Sequence, residues 1–191
     1  MKMGYGYSAD ASEAVTKAIC HVTGGPFSHC FIVFYDDNGP AFYFESISKK
    51  DKSTGKDGLR GPIPIERLYE WRDKKPASRM VELSGVVPYT EDEVDAVYKF
   101  LCEHVHDVYY SRLNCFNNWV ERRLRIYMHC TWFKRKDRVY WHCSQTCMNT
   151  VPDRFWSCFN MLKSKDSEVV PSGGNLVSIR EGVKRILKEA A

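Results

Sequence analysis

The sequence has no apolar run approaching the roughly 18 residues of a transmembrane helix, so no membrane span is expected. Its first ten residues, MKMGYGYSAD, lack the apolar stretch of a secretory leader. The chain is therefore expected to be cytoplasmic, or to ride in a particle assembled inside a cell. It has no internal repeat, no low-complexity tract, and no RNP, zinc-finger or helix-turn-helix signature, so nucleic acid is not an expected partner. The net charge of +4 is mild. Basic clusters at 121–125 and 134–138 read as a solvated helix face and a surface loop. No segment specifies an oligomeric state, and weak contact with a membrane surface stays open.

Cysteine is not scarce, but paired cysteine is. The eight lie at 20, 30, 102, 115, 130, 143, 147 and 158, and the only close pair is Cys143 and Cys147, spaced C-x3-C. A zinc ribbon needs two tight pairs, so no metal and no cofactor is expected, a site from His142, Cys143, Cys147 and a distant histidine being disfavoured. His104 and His106, two apart on a helix, face different ways and do not make a joint site. In a cytosolic chain most of these thiols stay reduced and act as small apolar filler.

What is present suits a single globular domain over residues 1–191: 43% hydrophobic, 27% charged and, at 14%, rich in aromatics that fill a core or line a groove. Helical spacing of Ala11, Ala14, Val15, Ala18, Ile19 and Val22 predicts a first helix over 8–22, opened by Asp10 and Glu13. Two β-rich runs, Ser28 to Tyr35 and Ala41 to Ser46, flank the turn Asp36-Asp37-Asn38-Gly39 and read as a hairpin. Residues 47–62 read as a long loop, 63–70 as a short strand or turn leading into a helical turn, and 79–87 as a third strand. Thr90 with Glu93 is a capping box, followed by a helix to about 107. Further helices are expected over 114–129, from about Cys143 to Val151, and from Ser178, with a short β-like stretch at Val139 to His142. Helix, antiparallel strands, then helices is the order of an α+β fold.

His29 sits at the mouth of the first hairpin strand, and Glu45 near the end of the second. If the hairpin register puts them on one face, the carboxylate orients the imidazole and stabilises its protonated form. The missing partner of such a pair is a nucleophile, and Cys143 at a predicted helix start is the best candidate. Helix N-termini acidify a thiol and offer N–H groups to an oxyanion. Cys30 neighbours His29 but should point to the opposite sheet face. Cys147, one turn from Cys143, reads as packing or as a resolving thiol. His142 reads as a cleft residue rather than the base.

The stretches "SHCFIVFYDDNGPAFYFES", "GLRGPIPIERL", "VYYSRLNCF", "HCSQTCMNTV" and "VPSGGNLVSI" resemble, in order, the circularly permuted papain-like NlpC/P60 superfamily, the group with the YiiX/YaeF-type proteins and a poxvirus branch. His29, Glu45 and Cys143-Ser144 match its pattern over roughly residues 25–185. Gln145 stands where relatives often have Glu. The resemblance implies a small antiparallel sheet packed against helices that include the cysteine helix. It implies a Cys143, His29, Glu45 triad, with Tyr110, Tyr109 and Ser144 as oxyanion or supporting candidates. It also implies a thiol hydrolase of the amidase or peptidase kind working through an acyl-enzyme on a peptide, amide or acyl substrate. The alternatives are an acyltransferase, a lipid or thioester hydrolase of the same fold, or a binding protein with a degenerate site.

Overall fold

Alternation of large and small side chains builds the sheet. In the computed structural model, which describes residues 1–23, 27–51, 55–84, 88–105, 107–110 and 139–151, the first strand is β1 (Lys2–Asp10). Met3, Tyr5, Tyr7 and Ala9 are buried on one of its faces. Gly6 and Ser8 lie on the other, where a side chain at Gly6 would collide with the buried Phe31 ring. The strand is thus a period-two pattern whose second face is kept small. It takes residues 8–10 from the expected first helix, and α1 is confined to Ala14–Thr23. Asp10 stops the strand: its carboxylate accepts from the Ser12 N–H, and its carbonyl accepts from the Glu13 N–H.

The hairpin forms as expected. β2 (His29–Asp36) and β3 (Gly39–Ile47) pair antiparallel across a tight turn, with Asp36 accepting from the Asn38 N–H at 2.7 Å and Gly39 at φ 124°. Part of the expected loop 47–62 is instead β4 (Gly58–Pro64), which pairs with β3. It leads directly into α2 (Ile65–Asp73), and β5 (Ser78–Ser84) pairs with the free edge of β1. The five-stranded sheet has the order β4-β3-β2-β1-β5 and is antiparallel throughout. The capping box at Thr90 and Glu93 forms and starts α3 (Glu91–His104). Val108, whose spacing fits the helix, instead opens β6 (Val108–Tyr110), parallel to β7 (Val139–Trp141). α4 (Cys143–Met148) closes the described chain.

The two faces of β2 part the core. Phe31 and Val33 pack with Tyr43 under Ile65 and Leu68 of α2. Cys30, Ile32 and Phe34 pack with Tyr5, Phe44, Val94 and Leu101 of α3, and Cys143 and Cys147 of α4. Tyr98 sets its ring edge-on to Phe34, Phe42 and Phe44. The observed architecture is α+β: a small antiparallel sheet with helices packed on both faces. The expected helices at 114–129 and from Ser178, the loop at 134–138 and Pro152 lie outside the described residues. Among the described residues, no helix is long and apolar enough to cross a membrane.

Candidate functional site

The hairpin register decides whether His29 and Glu45 can meet. Phe31 lies opposite Glu45, so His29, two residues earlier, is on the Glu45 face. The His29 Nε2–H donates to Glu45 Oε2 at 2.6 Å. Glu45 is 7% exposed at its side chain and has a second partner that the sequence reading missed. Arg60 sits directly across from it on β4 and donates from Nε at 2.9 Å and from its terminal nitrogen to the other carboxylate oxygen. It was missed because "GLRGPIP" carries four Gly or Pro residues and reads as loop. Burial alone would raise the Glu45 carboxyl, but His29 and Arg60 outweigh it and hold the group at about 2.

Cys143 comes to the same place from the other side of the sheet. His29 opens β2, so its ring stands at the strand's end and bears on both faces, on Glu45 at one and on Cys143 at the other. Burial pushes the His29 pKa down, but hydrogen bonds with Cys143 and Glu45 raise it to about 10. Over the neutral range the ring is therefore an imidazolium.

Three things fix the loop that carries Cys143. Ser46, fully buried on the α4 face of β3, donates to the Trp141 carbonyl at 3.2 Å. His142 and Gln145 form a capping box: His142 Nδ1 accepts from the Gln145 N–H, and Gln145 Oε1 accepts from the His142 N–H at 3.1 Å. At the far end Thr150 meets Tyr5 through their hydroxyls at 3.1 Å, and its carbonyl accepts from Tyr89 at 3.1 Å. Gln145 thus has a structural task. At 7% exposure an amide caps the helix without placing a second buried carboxylate beside the thiol.

The expectation of an acidified thiol does not hold. Cys143 is 4% exposed, and its pKa is raised, first by a hydrogen bond to Cys30 and then by burial. His142 and His29 pull it down without prevailing. α4 has only six residues, too short for much of a helix dipole. Cys30 does point away from the His29 face, as strand alternation requires, but that opposite face is where α4 packs, so Cys30 is a neighbour of Cys143 rather than a bystander. Replacing Cys30 with alanine is expected to speed iodoacetamide alkylation of Cys143 at neutral pH, read by peptide mass spectrometry. An unchanged rate would show that Cys30 does not hold the thiol proton.

A cleft of about 590 Å³ opens on the α2 side and is lined by Ser8, His29, Glu45, Arg60, Trp71 and Tyr110 among others, but not by Cys143. Tyr110 therefore reaches the site's edge, whereas the Tyr109 ring lies 6.0 Å from that of Tyr140, centroid to centroid. Ser144 follows Cys143 in the first turn of α4. Cys147 is buried in the core shared with Cys143 and Tyr5. His104 Nδ1 bonds the Phe100 carbonyl at 2.8 Å, and His106 lies outside the described residues. Among the described residues, no group of three or more His, Cys, Asp or Glu is placed to hold a metal ion. Compared with protein-family models, curated proteins and solved structures, the chain matches none.

Proposed function

We propose that the chain is a cysteine-dependent hydrolase of the amidase or peptidase kind, built like the permuted papain-like NlpC/P60 proteins, with Cys143 as nucleophile. The observation that carries this is one imidazole, His29, bonded at once to a thiol and to a buried carboxylate that a guanidinium also holds. The Glu45–His29 pair keeps the ring protonated, so the ring serves as an acid and as the cation beside a thiolate. The Cys143 thiol gives its proton to solvent, since the His29 ring is already protonated, and the thiolate attacks the carbonyl carbon of an amide, ester or thioester. His29 passes its proton to the departing group, leaving an acyl-enzyme. His29, now neutral, takes a proton from the attacking water, and deacylation frees the acid. An acyl acceptor in place of water would make the same site a transferase.

Burial of Cys143 and its bond to Cys30 favour a second reading, a binding protein whose thiol stays protonated. One screen separates the two. Wild type and Cys143→Ala are compared on acyl probes presenting an amide, an ester and a thioester. The hydrolase reading expects at least one probe to be consumed by wild type alone. If no probe distinguishes the proteins, the binding reading stands.

A further inference from the structure

His142 has a ring nitrogen whose purpose the fold does not supply. The side chain is 2% exposed, and Nδ1 is occupied as the acceptor of the Gln145 N–H at 3.4 Å. An imidazole whose Nδ1 accepts must carry its proton on Nε2. That Nε2–H has no hydrogen-bond partner among the described residues, although it is buried. Buried donors are nearly always satisfied, and one left open inside a site points to a group that arrives later. The same ring bears on the Cys143 thiol, and Cys143 is the next residue in the chain. The short helix behind the thiol has little dipole to lend, so a fixed side-chain donor beside the thiol has a task to perform.

We infer that His142 is the oxyanion donor of this site, its Nε2–H aimed at the oxygen of a carbonyl attacked by Cys143. The inference rests on the hydrolase reading. As the sulfur–carbon bond forms, the carbonyl π pair moves onto oxygen, and that oxygen accepts the Nε2–H hydrogen bond. When the pair returns, the bond to the leaving group breaks, and that group takes its proton from His29. His142 gives up no proton at any step, which suits a ring whose other nitrogen is fixed by a cap. It therefore differs in kind from His29, which carries a proton from one group to another. A donor of this sort lowers the energy of the tetrahedral state and leaves ground-state binding unchanged.

Two substitutions separate this role from capping. His142→Asn keeps an acceptor near the Nδ1 position, the preferred helix cap, and removes the distal donor. His142→Gln keeps an N–H near the Nε2 position. Both are compared with wild type on whichever ester or thioester probe shows Cys143-dependent turnover, with thermal melting and Cys143 alkylation followed in parallel. His142→Asn is expected to lose about 10²-fold in kcat with KM and melting little changed and with alkylation slowed far less than turnover, since His142 also pulls the thiol pKa down, and His142→Gln to recover a substantial part of the loss. Wild-type kcat in His142→Asn would overturn the inference and leave the hydrolase reading standing. So would a loss that melting or alkylation follows in proportion, since that marks a structural role. A wild type with no Cys143-dependent turnover overturns both.

Discussion

Replacing His29 with alanine is expected to lower kcat/KM of Cys143-dependent turnover by on the order of 10⁴-fold or more, while the protein stays folded. The size follows from the number of tasks on one ring. His29 supplies the positive charge beside the thiolate, the proton for the leaving group and the base for deacylation, and groups that act as a unit fail together. The fold should survive because Glu45 keeps Arg60, which holds one carboxylate oxygen through two nitrogens. The neighbouring thiol should also become harder to ionise, since His29 is one of the two groups that pull its pKa down. Slower alkylation of Cys143 at a fixed pH, alongside lost turnover and a near-native melt, is the expected triple result. Turnover within tenfold of wild type would remove His29 from the mechanism.

How much of this was legible beforehand depended on the physics each residue obeys. The capping box at Thr90 and the turn at Asp36 to Gly39 are local, and both formed as read. The placing of His29 against Glu45 needed a register, and register is set by the whole sheet rather than by the pair. β1 was overlooked because Gly4 and Gly6 hide an alternation that is otherwise regular in Met3, Tyr5, Tyr7 and Ala9. Gly6 is there because the Phe31 ring lies across it, which is a fact about β2 and not about β1. Arg60 was missed for the same reason as β4: it has meaning only opposite Glu45. Cys30 shows the reverse error. Alternation correctly sent it to the far face of the sheet, but which helix covers that face is a tertiary fact, and the covering helix carries Cys143. The acidified thiol failed because proximity to a helix start is one influence among several, and here a second thiol and burial oppose it.

The second large effect is expected at Glu45, and pH is the way to see it. Glu45 sits at about 2 in the fold against an ordinary 4.5, so the stability it contributes is present above 4.5 and is lost as pH falls toward 2. His29 sits at about 10 against 6.5, so its contribution is full below 6.5 and is lost as pH rises through about 10. Denaturant unfolding should therefore be most resistant between these windows. Glu45→Gln should cost on the order of 3 kcal/mol there, the low end for one partner removed from a buried ion pair, because Arg60 is about one third exposed and can turn toward Asp51, 3.9 Å away. Turnover should respond on its alkaline side. In wild type the rate rises as the Cys143 thiol ionises and falls as His29 loses its proton near 10, these being apparent values of the pair. Without the carboxylate, burial acts on His29 with less opposition and the alkaline limb moves down. The acid limb, set mainly by Cys30 and burial, should move less. The two limbs close on each other, so the maximum should fall by about 10²- to 10⁴-fold and the bell should narrow. A variant whose alkaline limb stays near 10 would mean that Glu45 does not hold the His29 proton, and the carboxylate's part in the triad would be lost with it.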